Sequence, residues 1–156
     1  MDNLELNIRN AVRAVIIRDG RILLLRKEYE DGSEQFALPG GGQDTGETLT
    51  MALGRECQEE IGADVQIGSL LYVADRFKPR DTPPGSTRHL VEFLFSCDVV
   101  ESYLPQNGHH PDRHQVEVLW VELATLDSLP LRPASIVHFL KHSQDEKSVA
   151  YLGMID

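Results

Sequence analysis

Four glutamates and one arginine fall within fourteen residues of each other: Glu47, Arg55, Glu56, Glu59 and Glu60. From about Thr45 to Ile61 the spacing is helical, and Gly62 follows as a stop. Projected as a helix, Leu49, Ala52 and Leu53 define the buried side. Glu56 and Glu60 fall within about 20° of the Leu49 line, and Glu59 lies about 80° to one side. A glutamate-rich helix ordinarily turns its acids to water, but here Gln58 and Gly54 hold the outward positions. Like charges three and four residues apart cost a helix about 0.2–0.5 kcal/mol per pair. Withdrawing them from water costs more unless a cation compensates. A hard divalent cation with oxygen ligands suits such a cluster, and magnesium keeps waters and takes phosphate oxygens. Arg55, one turn before Glu59, has the spacing of a salt bridge that fixes the Glu59 carboxylate.

The chain must bring this helix to a ligand, and Pro39-Gly40-Gly41-Gly42 leads directly into it. Glycines there form a tight turn or let backbone groups approach a ligand closely. Asp44 followed by Glu47 has the spacing of a capping box, which predicts a helix start near Thr45. Upstream, Ala11–Arg18 and Arg21–Arg26 are apolar runs joined by the hairpin signal Asp19-Gly20. Their continuous rather than alternating apolar character predicts strands covered on both faces. Further strands are expected over Val65–Ala74, Arg88–Val99 and Val116–Leu123, and a closing helix over Pro133–His142. The fold class is therefore α/β, a mixed β-sheet between helical layers. One domain is expected, with a core over about residues 8–142 and a stretch, 143–156, that has no assignable element.

Composition narrows the function classes. The 156 residues carry 15 basic and 25 acidic side chains, a formal charge of −10. Such acidity argues against a nucleic-acid binder held by bulk charge, so a phosphate-bearing ligand needs local compensation. No apolar run approaches the roughly 20 residues of a membrane span. The N-terminus lacks the basic start and apolar stretch of a secretion signal, and Cys57 and Cys97 read as reduced thiols; a cytoplasmic protein is expected.

Gly41, five residues, Glu47, seven residues, then Arg55-Glu56-Cys57-Gln58-Glu59-Glu60-Ile61-Gly62-Ala63 resembles the signature box of the Nudix hydrolases. Leu38-Pro39-Gly40 resembles the family's lead-in. Cys57 and Ala63 stand where larger aliphatic residues are usual. The resemblance implies a Nudix-type α/β/α sandwich and hydrolysis of a nucleoside diphosphate linked to another group, with Mg2+ or its substitute Mn2+. It implies Glu56 and Glu60 as principal metal ligands and Glu59 as a further ligand or the base. The Gly40 backbone carbonyl completes the set. Glu47 supports the loop and in some members reaches a metal through water. Metal-bound water is acidic enough for a carboxylate to deprotonate near neutral pH. Family members differ in the base, and some take it from a distant loop; Glu117 is the alternative, against its reading as an outward residue on an alternating strand.

Substrate identity is carried by weaker signals. Pro79, sixteen residues beyond the box, resembles a marker of the ADP-ribose pyrophosphatase branch. Arg76, Lys78, Arg80 and Arg88 make an acidic protein locally basic there, and Arg76 and Arg88 are candidates to grip phosphates or a terminal ribose. Phe36 and Phe77 are candidates to stack on a base, with core packing the default for Phe36. His109, His110 and His114 are expected to be exposed and Trp120 to be core. The leading expectation is a pyrophosphohydrolase acting on ADP-ribose or a related nucleotide sugar. The alternatives are a house-cleaning nucleoside triphosphate pyrophosphohydrolase and a non-catalytic nucleotide sensor, the latter disfavoured because all the box acids are retained and 156 residues leave no room for an added domain. The expected partner is a small-molecule nucleotide, with no nucleic acid and no membrane. The resemblance also admits a homodimer.

Overall fold

The computed structural model describes residues 3–81, 83–145 and 148–156. Asp19 and Gly20 both take positive φ, 53° and 76°, the backbone that closes a two-residue hairpin between twisted strands. They join β1 (Arg9–Arg18) to β2 (Arg21–Glu28). The two strands pair antiparallel only beside the turn, at Ile17↔Ile22 and Arg18↔Arg21. Beyond it they splay. The far end of β1 pairs instead with β4 (Gly40–Gly42) and, in parallel, with β6 (Thr87–Asp98). The far end of β2 pairs with β3 (Glu34–Ala37) and β7 (Gln115–Glu122). A long β5 (Gln66–Pro79) lies against β6, and β8 (Ala150–Ile155) closes the edge in parallel with β5.

Because β1 and β2 are apolar on both faces, they feed two cores. Val12, Ala14, Ile16, Leu23 and Leu25 pack against Ala52, Leu53, Cys57 and Ile61 of α1 (Leu49–Ile61). Val15, Ile22 and Leu24 pack on the opposite face with Leu126, Leu131, Ile136 and Leu140. The mixed sheet between helical layers is the expected α/β arrangement. Both cysteines are free and buried, Cys97 with its thiol pushed up to about 12 by burial. Among the described residues no helix is long and apolar enough to cross a membrane.

Three expectations change. Helix α1 begins at Leu49, not near Thr45: Gly46 has φ +92°, incompatible with a helix, and Thr48 is the cap, its Oγ1 accepting from the Met51 N–H at 3.1 Å. The closing helix shrinks to a 3-10 turn, Ala134–Ile136, and the five-residue α2 (Val137–Lys141), because Pro133 keeps an extended backbone and no side chain caps the turn. The unassigned stretch supplies a 3-10 turn, Ser143–Asp145, and β8, whose Ile155 enters the second core.

Candidate active site

The splay of β1 from β2 opens a cavity of about 410 Å³. Its floor is the glycine run. Gly40 has φ +140°, and a Cβ there would lie 1.9 Å from the Val12 carbonyl oxygen. At Gly41 a Cβ would lie 2.6 Å from the Glu56 carboxylate. Glycine at both positions lets β4 lie flat between β1 and the acidic face of α1.

Glu60 is buried, at 2% exposure. One of its carboxylate oxygens accepts from the Gly40 N–H at 3.1 Å, and Oε2 has no partner. Burial, then the charges of Asp112 and Glu56, drive its pKa well above the carboxylate range, against the pull of Arg13. Such a group is poised to take a cation. Arg55 supplies positive charge nearby. It grips Glu47 with two hydrogen bonds of 2.8 Å, Glu56 at 2.9 Å and the Gly42 carbonyl at 3.0 Å. Its distance to Glu59 is 3.5 Å, so its firmest hold is on Glu47 and Glu56 rather than on the expected Glu59. The guanidinium, with the Asp44 N–H, brings Glu47 down to about 2. Only half of the expected capping box forms: the Asp44 N–H donates to the Glu47 carboxylate at 2.9 Å, while the Glu47 N–H goes to the Asp44 backbone carbonyl, and both close the turn before the helix.

Across Gly40 the charges invert. Arg13 donates to the Gly40 carbonyl at 2.9 Å and to Glu92 at 3.2 Å, and Arg76 reaches the same Glu92 oxygen at 3.4 Å. Glu92 is 1% exposed. Burial raises its pKa, but Arg13 and Arg76 together overcome that and hold it below the ordinary value. Lys78 is brought down to about 8, first by desolvation and then by Arg13, Arg76 and Lys27. More than a third of its surface stays open, so its desolvation belongs to the recessed wall and not to core burial.

The structure brings some of the nominated residues together and separates others. Glu56, the Gly40 backbone, Arg76 and Arg88 line the cavity. Glu60 lies behind its floor, and Glu59 faces outward between Arg55 and His110, 3.8 Å from the His110 ring. Pro79 ends β5 in an adjoining recess. Arg88 is tied to Glu5 at 3.0 Å. Phe36, nominated for stacking, is 5% exposed and part of the core. Phe77 stacks on His89. Glu117 is 47% exposed and pairs with Arg26 across β2 and β7, away from the cavity. The loop carboxylate that does face the cavity is Asp112, in an ion pair with Lys27. Motif spacing alone does not single out Arg13, Lys27, Glu92 or Asp112, which the fold brings to the cavity. Arg13 and Glu92 had a signal, a lone charge inside an apolar strand run.

Among the described residues no three acidic, histidine or cysteine side chains converge tightly enough to hold a metal by themselves. The donors present are Glu56, the unpartnered Glu60 oxygen and the Gly40 carbonyl, an oxygen-only set that fits a hard cation with water and phosphate completing the shell.

A family model for the NUDIX domain matches residues 7–142. This chain belongs to the Nudix hydrolases. It is 33% identical over 134 residues to an 8-oxo-dGTP diphosphatase of Haemophilus influenzae, covering 83% of this chain and 89% of that one. It is 37% identical over 90 residues to an ADP-ribose pyrophosphatase of Methanocaldococcus jannaschii, a match covering 58% of this chain and 50% of the relative. The chain therefore spans about half the length of that relative. Among solved structures, a NUDIX hydrolase of Nitrosomonas europaea superimposes with a TM-score of 0.69 at 22% identity, covering 90% of this chain and 92% of that one. That likeness bears out the α/β Nudix sandwich. Hydrolases of this family generally need a divalent metal.

Proposed function

We propose that this Nudix hydrolase is a Mg2+-dependent pyrophosphohydrolase, with Mn2+ as a substitute, cleaving the diphosphate linkage of a nucleoside diphosphate derivative. The observation that carries the reading is the orphaned Glu60 oxygen behind the Gly40–Glu56 floor of a cation-lined cavity. Glu56, Glu60 and the Gly40 carbonyl would hold the ion, and Glu47 supports the loop through Arg55. When bound there, such an ion would neutralise the diphosphate and lower the pKa of a bound water towards neutrality. Glu59 is the base nominated from the sequence, although its carboxylate stands beside Arg55 and His110 and outside the cavity lining. Arg55 positions the acids by tying Glu47, Glu56 and Glu59 to one guanidinium. Arg13 and Arg76, held by Glu92, present positive charge to the phosphates from the opposite wall.

ADP-ribose or a related nucleotide sugar is the first substrate to test, supported by Pro79 and by the name of the Methanocaldococcus relative. A nucleoside triphosphate is the second, supported by the name of the Haemophilus relative. A Mg2+-dependent hydrolysis screen with products identified by mass separates them. AMP and ribose phosphate are expected from the first, a nucleoside monophosphate and pyrophosphate from the second. Silence across the panel with nucleotide still binding would overturn the catalytic reading in favour of a sensor. Buried, unpaired Cys57 and Cys97 support a reducing, cytoplasmic compartment.

A further inference from the structure

The cavity wall holds more positive charge than a diphosphate and its metal require. Of the described residues lining it, eight are lysine or arginine and three are acidic, inside a chain of net charge −10. Most of these cations are answered. Glu92 takes Arg13 and Arg76, Asp112 takes Lys27, and Glu5, outside the wall, takes Arg80 and Arg88. Among the described residues, Arg9, Lys78 and Arg132 have no carboxylate within ion-pair distance. Arg9 belongs to the glycine floor, with Nη2 at 3.5 Å from where a Gly42 Cβ would sit. Lys78 and Arg132 stand elsewhere: both also line the adjoining recess, which runs on past Pro79 to Arg113 and His114. Among the described residues, the Arg132 guanidinium donates one hydrogen bond, to the neighbouring Leu131 carbonyl at 3.3 Å.

A cleaved diphosphate diester brings about two negative charges, and a phosphomonoester adds up to about two more. The wall is also poor in aromatic rings. Tyr29 is the one aromatic residue among those described as lining it, and its ring lies against His114 at 4.5 Å. Among the described residues, the adjoining recess sets six lysines and arginines against Asp81 and Asp112, and its two rings, Tyr29 and His114, lie against each other. Resting on the pyrophosphohydrolase reading, we propose that the substrate carries a terminal phosphoryl group beyond the diphosphate that is cleaved, and that Lys78 and Arg132 grip it. Like charges crowded on one wall repel each other in the free protein, and an anion bridging them relieves the repulsion. The Lys78 ammonium is depressed first by desolvation in the recess and then by Arg13, Arg76 and Lys27, so crowding is the smaller share.

The test is equilibrium binding by calorimetry to the metal-free protein, where no turnover intervenes, using ADP-ribose, 2′-phospho-ADP-ribose, ADP and ATP. The terminal phosphate is expected to tighten binding by about tenfold in at least one of the two pairs. Lys78→Gln and Arg132→Gln should bring that ratio towards one, and Lys78→Arg should retain it. Arg21→Gln, which removes an exposed charge on the distant hairpin, should leave it alone. A gain confined to 2′-phospho-ADP-ribose identifies a phosphorylated nucleotide sugar as the source, and one confined to ATP identifies a triphosphate. A ratio near one for both pairs in the unmodified protein, or a ratio untouched by Lys78→Gln and Arg132→Gln together, overturns the inference. Hydrolysis is measured separately with Mg2+. A Lys78-dependent ratio without any turnover would sink the pyrophosphohydrolase reading while leaving the phosphate grip standing.

Discussion

Two charge clusters face each other across Gly40, and they are near mirror images. On the α1 side one cation, Arg55, is surrounded by Asp44, Glu47, Glu56 and Glu59. On the β-sheet side one anion, Glu92, is shared by Arg13 and Arg76. The Gly40 peptide joins them, its N–H given to Glu60 and its carbonyl receiving Arg13. Neither cluster is neutral. The acidic one is short of a cation, and the unpartnered Glu60 oxygen marks where; the basic one is short of an anion. On the proposed reading, a metal–diphosphate unit would complete both at once. Strain of this kind is stability given up for function.

Breaking the acidic half has the largest expected effect. Glu56→Gln and Glu60→Gln should each lower kcat by about a thousandfold or more, the scale of losing a principal electrostatic group. Full activity in either would refute the ligand assignment. Without metal, Glu60→Gln should be the more stable protein at neutral pH by about 1–3 kcal/mol, since it removes an unsatisfied buried charge. The Glu60 pKa is raised in the fold, so the native state binds more protons than the unfolded chain. Stability of the metal-free protein should therefore fall as pH rises above the ordinary glutamate range, and the fall should be smaller in Glu60→Gln; thermal unfolding in EDTA reads both.

Breaking the basic half tests the opposite prediction. Glu92→Gln leaves two largely buried guanidiniums unpaired and should destabilise by about 3–5 kcal/mol, read by urea unfolding. The asymmetry is the point: removing an acid stabilises one half and destabilises the other. Equal losses from Glu60→Gln and Glu92→Gln would end the comparison. Arg55→Ala comes next, with kcat reduced about ten- to a hundredfold through misplaced Glu47 and Glu56 and with little change in unfolding midpoint. A pure stability loss at normal specific activity would assign Arg55 to the scaffold alone.

The acidic half was legible in the sequence and the basic half was not, for a physical reason. Glu47, Arg55, Glu56, Glu59 and Glu60 belong to one short segment, so helical geometry alone sets their mutual placement. Arg13, Arg76, Glu92 and Asp112 come from β1, β5, β6 and a loop, and only strand register brings them together. The Arg13↔Leu94 and Ala11↔Glu92 pairings, for instance, follow from the parallel β1–β6 ladder. Local chemistry misled once within reach of the site. The Glu47 carboxylate does take the Asp44 N–H, yet the return bond is backbone to backbone and Gly46 keeps that turn outside the helix. The β8 segment escaped notice because Ala-Tyr-Leu-Gly-Met-Ile has no clean alternation, and its place is set by the free edge of β5.

The smallest expected effects separate two carboxylates five residues apart. Glu117 was the loop candidate for a distant base, but it stands in register with Arg26 and bonds it at 2.8 Å on an exposed face. Asp112 faces the cavity, and although burial works to raise its pKa, the Lys27 ammonium and the Arg113 N–H hold it below the ordinary value. It therefore stays ionised at neutral pH, close enough to Glu60 to push that group upward. Asp112→Asn should free Lys27 and ease the repulsion on Glu60, changing kcat/KM by about three- to tenfold. Glu117→Gln should cost only a partly exposed ion pair, within about 0.5 kcal/mol of stability and with no change in turnover. Steady-state kinetics on the two variants decide between them, and a large loss in Glu117→Gln with none in Asp112→Asn would mean that the strand carries the loop's chemistry.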